Sequence, residues 1–251
     1  MIQIGDMVTL IGPRGKFVVK VSSEMQNIKN LGVVDTGKIT EKDYGESINI
    51  IDQDYIILKP SLSDKLDALQ RKAQIILPKD ALQLVGMCNI QSGSLVIEGG
   101  AGSGALTVAL AHFVAPNGRV VTYETREDFA AVTRKNLAMA GAEKFVELKI
   151  ADVTKGFDEY DADAVILDIP NPWNVVTHAW KALAPGGFFA VYVPTMNQVE
   201  KIVSELRDNR FIEPKSMETL QREIVVGNGG VRPSFDMLGH TGYITVARKI
   251  L

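Results

Sequence analysis

Residues 95–110 read LVIEGGAGSGALTVAL, an apolar run followed by closely spaced glycines and then by apolar residues at helical spacing. The pattern predicts a buried strand, a tight turn and a helix. Glycines in such a turn let the backbone approach a ligand closely, and the helix N-terminus that follows offers unpaired N–H groups. The segment therefore predicts a cofactor site at the carboxyl end of this strand.

Apolar strand-like runs alternate with helical segments along the rest of the chain. The runs are RVVTYE, FVELKIAD, DAVILDI and FFAVYVP, followed by a last pair around IVVG and YITVAR. This alternation predicts an α/β fold with a doubly wound, mostly parallel sheet of the Rossmann-like kind. We expect IVVG and YITVAR to close that sheet as a hairpin.

The beginning of the chain has a different pattern. Residues 1–60 contain short β-rich runs separated by turn residues, which predicts a small β-rich N-terminal domain. Residues 61–84 are helical in composition, with Ser61 or Ser63 as the N-cap and a break at Pro78. We therefore expect a small domain at 1–60, a helical linker or entrance at 61–84 and a large domain at 85–251.

The composition favours a soluble cytoplasmic protein. The 251 residues are 46% hydrophobic and include a single cysteine, Cys88, which excludes an intrachain disulfide. No apolar run comes near the roughly 20 residues that a transmembrane helix needs, so we expect no membrane partner. His112, His178 and His240 have no metal-ligand spacing with one another or with the cysteine, so we expect no metal.

The net charge of −3, taken alone, argues against a nucleic-acid partner. The charge is unevenly distributed, because residues 81–200 carry 8 basic and 13 acidic side chains while the flanking parts are not acidic. An RNA partner would therefore be bound through basic clusters in the flanks. Such clusters are Arg71, Lys72 and Lys79 on one side, and Arg222 and Arg232 on the other.

Four acidic residues, Glu98, Glu124, Asp152 and Asp168, end four successive predicted strands. Glu124 lies about 20 residues beyond the glycine loop, where a carboxylate accepts hydrogen bonds from ribose hydroxyls. Asp152 is suited to an adenine amino group. A dinucleotide dehydrogenase would share the first two acids, but the spacing E-x-G-x-G-x-G differs from the G-x-G-x-x-G fingerprint. The pattern favours S-adenosylmethionine as the cofactor.

The segment DIPNPW, residues 168–173, indicates the reacting end of the site. Pro170 and its neighbouring proline keep the backbone extended, so that the Asp168 carboxylate can point into a pocket. Trp173 is suited to stacking on a planar base. Adenine N1 attacks a methyl donor without prior deprotonation, and a carboxylate that accepts the N6 hydrogens would orient the base and stabilise the developing positive charge. Asp168 is therefore the candidate catalytic residue.

Together these segments resemble the tRNA adenine-N1 methyltransferase family of the TrmI type. The matching segments are RKAQIILPKDA (71–81), VIEGGAGSGALTVAL (96–110), VVTYETREDFAAVTRKNL (120–137), LDIPNPW (167–173), YVPTMNQV (192–199) and RP…MLGHTGY (232–243). The resemblance implies a class I methyltransferase domain with a small N-terminal β domain and a homotetramer. It also implies methylation of adenine 58 in the T-loop of tRNA, with adenine 57 as a further target in archaeal members.

The resemblance also implies roles for individual residues. Glu124 would bind the ribose of S-adenosylmethionine, Asp152 would lie near its adenine, and Gln74 would close over the pocket. Asp168 would face both the methyl donor and the target base. We take as candidate substrate-binding residues Pro170, Trp173 and His240. The glycine-loop residues expected against the cofactor are Gly100, Gly102, Ser103, Gly104, Ala105 and Leu106.

Three other functions remain open at this point. A class I methyltransferase that acts on a protein, such as an isoaspartyl repair enzyme, would share the sheet and the glycine loop but would not need a pocket for a planar base. Methylation of adenine at N6 would differ only in the nitrogen that is modified. A noncatalytic tRNA-binding subunit would fail to bind S-adenosylmethionine.

Overall fold

The computed structural model describes residues 1–72, 74–227 and 229–251. These residues form two compact units, one of Met1–Gln70 with Lys135–Lys144 and the other of Arg71–Arg134 with Phe145–Leu251. The domain limits drawn from the sequence at residues 60 and 84 stay a prediction. Across the described ranges, no helix is both long and apolar enough to span a membrane.

The first unit is built from short antiparallel strands. They are β1 (Met7–Gly12), β2 (Gly15–Lys20), β3 (Met25–Ile28), β4 (Gly32–Asp35), β5 (Ser47–Ile50) and β6 (Gln53–Leu58). Four of them form a sheet in the order β2-β1-β6-β5, and β3 pairs with β4. Along β6, Tyr55 and Ile57 are fully buried while their neighbours are not, as expected for a strand with one face in a core. The β-rich N-terminal region predicted from the sequence is confirmed.

Helix α1 (Leu62–Ala68) begins at a capping box. The Asp64 N–H donates to the Ser61 hydroxyl (3.1 Å), and the Ser61 N–H donates to the Asp64 carboxylate (2.9 Å). Ser61 is thus the N-cap, and Ser63 lies inside the helix. The predicted helical stretch is interrupted earlier than expected, because α1 ends at Ala68 and Pro78 is the first residue of the next helix.

The described residues of the second unit form one large sheet, a separate hairpin and several α-helices. Its strands are β7 (Leu95–Gly99), β8 (Arg119–Glu124), β9 (Val146–Ile150), β10 (Ala162–Leu167), β11 (Leu183–Val193), β12 (Phe211–Glu218), β13 (Ile224–Gly227), β14 (Gly230–Pro233) and β15 (Tyr243–Lys249). Its helices are α2 (Pro78–Met87), α3 (Ala105–Val114), α5 (Val176–Ala182) and α6 (Met196–Asp208). Helix α4 (Glu127–Ala140) begins in this unit, and its residues from Lys135 onward belong to the first unit.

The large sheet has the strand order β12-β15-β11-β10-β7-β8-β9. Strands β11, β10, β7, β8 and β9 are parallel, and β15 runs antiparallel to both of its neighbours. The strand order reverses between β7 and β10, and in open α/β sheets ligands bind at the carboxyl ends of the strands at such a point. The doubly wound, mostly parallel sheet is therefore confirmed.

The prediction for the end of the sheet was wrong. IVVG forms β13, which pairs only with β14 in a two-stranded hairpin of exposed residues, and β12 is the strand that pairs with β15. The β-branched residues of IVVG mimic a core strand. Strand β12 is an edge strand with mostly exposed side chains, including Glu213 and Lys215, so it lacks the apolar pattern of a central strand.

Candidate active site

A cleft of about 440 Å³ opens at the carboxyl ends of β7, β8, β9 and β10. Five residues selected from the sequence line it: Gly100, Glu124, Asp152, Asp168 and Pro170. They lie at or directly after the carboxyl ends of four neighbouring strands. The sheet topology thus assembles residues that are far apart in the sequence.

The glycine loop lies directly against the end of β10. Gly100 has a φ of 94°, and a Cβ added there would lie 2.2 Å from the Asp168 carbonyl oxygen. The Gly100 and Ala101 N–H groups both donate to the Tyr123 carbonyl oxygen, at 2.9 and 3.0 Å. The loop then turns into α3 at Gly104, whose φ is 81°. Because only glycine fits at position 100, the loop backbone can pack beside Asp168 and form one wall of the cleft.

Glu124 is a buried carboxylate at the end of β8, with 4% of its surface exposed. It accepts hydrogen bonds from the Gly102 N–H (3.0 Å), the Thr125 N–H (2.9 Å) and Arg126 Nε (3.1 Å). Burial acts to raise its pKa, but the Arg126 guanidinium and the N–H donors hold that pKa below its usual value. The group is therefore an anion that can accept ligand hydroxyls, and a ligand there would share it with Arg126.

Asp152 caps a 3-10 helix, Val153–Lys155, at the mouth of the cleft. Its Oδ1 accepts a hydrogen bond from the Thr154 N–H at 2.9 Å, and this contact lowers the pKa of Asp152. The carboxylate is thus ionised and fixed in orientation at the edge of the cleft. An acceptor in this position suits an amino group of a planar ring.

Asp168 follows β10, and its N–H donates to the Gly99 carbonyl oxygen at 2.8 Å. The residue is exposed on the cleft side. The protein nevertheless surrounds the carboxyl closely enough that desolvation raises its pKa to about 6. Asp168 is exposed to the cleft rather than to bulk solvent. Its carboxylate is therefore accessible to a ligand and poorly solvated at the same time.

Glu98 differs from the other three strand-end acids. Its side chain is buried under the glycine loop, where Oε2 accepts a hydrogen bond from the Thr107 hydroxyl at 2.6 Å. Its Oε1 has no hydrogen-bond partner among the described residues. Burial raises the pKa of Glu98 to about 7. Glu98 lies near the carboxyl end of β7 as predicted, but its side chain bonds to α3 and, unlike the other three acids, does not line the cleft.

The remaining residues expected against the cofactor are not among those that line the cleft. Ser103 is buried and accepts a hydrogen bond from the Lys72 N–H at 3.1 Å. Ala105 and Leu106 are buried in the first turn of α3. Gln74 is exposed, in a segment without regular structure. The cofactor contacts of these residues stay predictions.

The three candidate substrate-binding residues occupy different surroundings, and only Pro170 lines the cleft. Trp173 packs against the hydrophobic core, with Lys201 Nζ 3.9 Å from its ring centroid. The two ring nitrogens of His240 lie 2.6 Å from Glu218 Oε1 and 2.8 Å from the Pro194 carbonyl oxygen. Stacking of a base on Trp173 and contact of a base with His240 stay predictions.

Sequence reasoning missed several cleft residues. Tyr123, Arg126, Asn171 and Asn174 line the cleft and were not selected. Arg126 directly follows the Glu124-Thr125 pair, and its charge beside a buried acid was the one signal available. In the described parts of the chain, no group of three or more His, Cys, Asp or Glu side chains is arranged to hold a metal ion.

The matching family model and two similar proteins are all described as tRNA methyltransferases or as part of one. A family model described as the tRNA methyltransferase complex GCD14 subunit matches residues 56–231. The chain is 36% identical to the tRNA (adenine(57)-N(1)/adenine(58)-N(1))-methyltransferase TrmI of Methanocaldococcus jannaschii, over 95% of this chain and 93% of that protein. It is 31% identical to the tRNA (adenine(58)-N(1))-methyltransferase TrmI of Thermus thermophilus, over 76% and 75% of the two chains.

Two solved methyltransferase structures superpose on this chain over its full length. A structure described as an S-adenosylmethionine-dependent O-methyltransferase from Thermotoga maritima superposes with a TM-score of 0.86 and 36% identity, covering 100% of this chain and 95% of the other. The tRNA (m1A58) methyltransferase TrmI of Aquifex aeolicus superposes with a TM-score of 0.79 and 27% identity, covering 100% and 99%. The fold is that of class I methyltransferases, and the chain belongs to the GCD14/TrmI family of tRNA methyltransferases.

Proposed function

We propose that this protein transfers the methyl group of S-adenosylmethionine to N1 of adenine 58 in the T-loop of tRNA, with adenine 57 as a second target. The observation that carries the proposal is the 36% identity over nearly the whole chain to an enzyme named for both positions. The chemistry of the cleft supports it, because the cleft combines a glycine loop with three carboxylates of different character.

The residues present fit S-adenosylmethionine. The glycine loop packs against the Asp168 backbone at Gly100, whereas no atom lies within 4 Å of a Cβ built at Gly102, so the loop backbone there is open to close approach of a ligand. Glu124 would accept the ribose hydroxyls, and Asp152 would accept the adenine amino group. When bound, the cofactor supplies an electrophilic methyl group on a sulfonium. Binding and orientation by the loop and these two acids are the contribution of this chain.

Asp168 would act on the acceptor base. Adenine N1 carries an in-plane lone pair, so no base is needed to activate it, but the methylated ring becomes positively charged. With a pKa of about 6, Asp168 is mostly ionised at neutral pH. Its carboxylate would accept a hydrogen bond from the N6 amino group and stabilise the developing charge. A poorly solvated carboxylate does this more effectively than one in bulk water.

An oxygen acceptor is the second candidate, since the Thermotoga maritima relative is described as an O-methyltransferase. A hydroxyl acceptor must lose its proton during the transfer. Asp168 has a pKa suited to a general base for that reaction. Identification of the methylated nucleoside after digestion of the RNA distinguishes the two acceptors, because a methylated base and a methylated ribose give different nucleosides.

The test is methyl transfer from labelled S-adenosylmethionine to an unmodified tRNA transcript, followed by digestion and identification of the labelled nucleoside. We expect 1-methyladenosine. Transcripts in which adenine 57, adenine 58 or both are replaced assign the positions. Label on a ribose, on N6 or on no RNA at all, despite measurable cofactor binding, would contradict the proposal. Transfer to an isoaspartyl peptide in place of tRNA would favour the protein methyltransferase.

We further propose that the protein is a homotetramer and works in the cytoplasm, where its proposed tRNA substrate is found. The β13–β14 hairpin supports self-association, because the residues of its two strands are exposed although many are apolar. Val226 and Val231 lie opposite each other in the hairpin and are 77% and 69% exposed. An apolar surface of this kind is typical of an interaction site.

A further inference from the structure

A buried ion pair lies at the start of α2, away from the groups assigned to the cofactor. Lys79 Nζ donates to Asp80 Oδ1 (2.8 Å), to the Thr219 carbonyl oxygen (2.6 Å) and to the Thr241 hydroxyl (2.7 Å). The Asp80 side chain is fully buried, and that of Lys79 is 10% exposed. Buried ion pairs are often no more stabilising than apolar residues of the same volume, so stability alone is a weak explanation for this one.

The second carboxylate oxygen of Asp80 receives two hydroxyl groups. The Thr241 hydroxyl lies 2.9 Å from Asp80 Oδ2, and the Tyr192 hydroxyl lies 3.4 Å from the same atom. The Tyr192 ring packs against Gly242, where an added Cβ would lie 2.4 Å from Tyr192 Cζ. Asp80 and Gly242 therefore hold this tyrosine at its hydroxyl and at its ring.

Tyr192 is next to the candidate catalytic residue in the sheet. Strands β10 and β11 are parallel with Leu167 paired to Val191, so the residues that follow, Asp168 and Tyr192, are neighbours across the two strands. Burial raises the pKa of Tyr192 to about 12, and the negative charges of Asp80 and Asp168 contribute. The phenol thus stays protonated at neutral pH and donates to Asp80, from the strand next to the one that Asp168 follows.

We propose that Asp80 is a positioning residue for the acceptor side of the active site. It accepts the Tyr192 and Thr241 hydroxyls and so fixes Tyr192, the neighbour of Asp168 across the two strands, relative to α2. Lys79 balances the charge of Asp80 and ties the Thr219 carbonyl oxygen to the same helix. The inference rests on the proposed function, because the acceptor is the adenine that Asp168 would contact. If Tyr192 were displaced, the acceptor side of the site next to Asp168 would be misplaced, and methyl transfer would fall without a change in cofactor binding.

The test is a double-mutant cycle of Asp80→Asn and Tyr192→Phe, with Tyr160→Phe as the control, since Tyr160 is 72% exposed. The transfer rate to tRNA at saturating cofactor, the KM for tRNA, the dissociation constant of S-adenosylmethionine and the melting temperature are measured for each variant. We expect either single variant to lower the rate by about tenfold to a hundredfold, at an unchanged cofactor dissociation constant. The double variant is expected to be no slower than the slower single variant.

Two results would overturn the inference. One is a rate for the double variant equal to the product of the two single losses, and the other is a wild-type rate for Tyr192→Phe. If Asp80→Asn does not fold, Thr241→Val replaces it in the cycle, because it removes a hydroxyl bonded to both charges and keeps the ion pair. A wild-type protein that transfers no methyl to tRNA would overturn the proposed function as well, whereas an active wild type with additive losses would overturn only the role of Asp80.

Discussion

At the residue scale, the environment of each carboxyl group separates acids that look alike in the sequence. Glu124 is buried but surrounded by donors, which hold its pKa below the usual value. Asp168 has a desolvated carboxyl whose pKa rises to about 6, and Glu98 lies under the glycine loop with a pKa of about 7. Glu124 is therefore suited to accepting ligand hydroxyls, and Asp168 is suited to stabilising the positive charge that develops on the base during the reaction.

Replacing Asp168 tests its role directly. Asp168→Ala is expected to lower turnover by about two orders of magnitude, the scale seen when an electrostatic stabiliser is removed, with cofactor affinity mostly intact. In the wild type the rate should fall as the pH drops through about 6, because the carboxyl becomes protonated. The measurements are kcat against pH and calorimetric titration with S-adenosylmethionine. A variant with wild-type turnover would remove Asp168 from the mechanism.

His240 offers a second pH test. Both ring nitrogens face acceptors, Glu218 and the Pro194 carbonyl, so only the doubly protonated ring donates to both. These contacts raise the pKa of His240. The stabilisation is therefore fully present below the unfolded value of about 6.5 and is lost as the pH rises through the raised value. The melting temperature of wild type minus that of His240→Gln should shrink from pH 6 to pH 9, and a constant difference would contradict this.

At the element scale, the strand-turn-helix unit of β7 and α3 creates the cleft because of two properties of its glycines, a positive φ and a missing side chain. The two can be separated experimentally. Gly100 has a φ of 94° and a Cβ there would clash with the Asp168 backbone, while Gly93 has a φ of 97° and open space around it. Any residue other than glycine pays the conformational cost at either position, and only position 100 adds the steric one.

Gly93→Ala is therefore the matched control for Gly100→Ala. We expect the first to lower the free energy of unfolding by about 1–2 kcal/mol, the cost of a left-handed conformation. The second should lower it further and weaken binding of S-adenosylmethionine, because the loop must move away from the end of β10. Urea unfolding and calorimetry measure the two effects. Equal losses from both variants would mean that the close approach at Gly100 is unimportant.

At the scale of the whole molecule, the β13–β14 hairpin is the surface that we assign to association between copies of the chain. Its β-branched side chains are exposed in the chain taken alone. Val226→Asp combined with Val231→Asp is expected to reduce the proposed tetramer to a smaller species by light scattering, since charges at an apolar interface oppose association. Val33→Asp, at a valine of the first unit that is 57% exposed, is the control and should leave the mass unchanged. An unchanged mass for the double variant would assign association to another surface.

The sequence alone determined the parallel sheet, the strand-turn-helix unit and the meeting of three acids at one sheet edge. Alternating apolar runs and helical segments predicted the parallel sheet, and LVIEGGAGSGALTVAL predicted the strand, turn and helix, because these patterns are local and have a fixed period. The order of strand ends also predicted that Glu124, Asp152 and Asp168 would meet at one edge, since parallel strands share the same direction. The cleft contains all three.

Only the tertiary structure decided the rest. It showed that Glu98 bonds to α3 and does not line the cleft, that β12 rather than IVVG pairs with β15, and that Asp80 joins Tyr192 to α2. Each of these depends on the direction in which a side chain points or on contacts between residues that are distant in the sequence, such as Asp80 and Tyr192. Burial and partner identity follow from packing of the whole chain, and no local period encodes them.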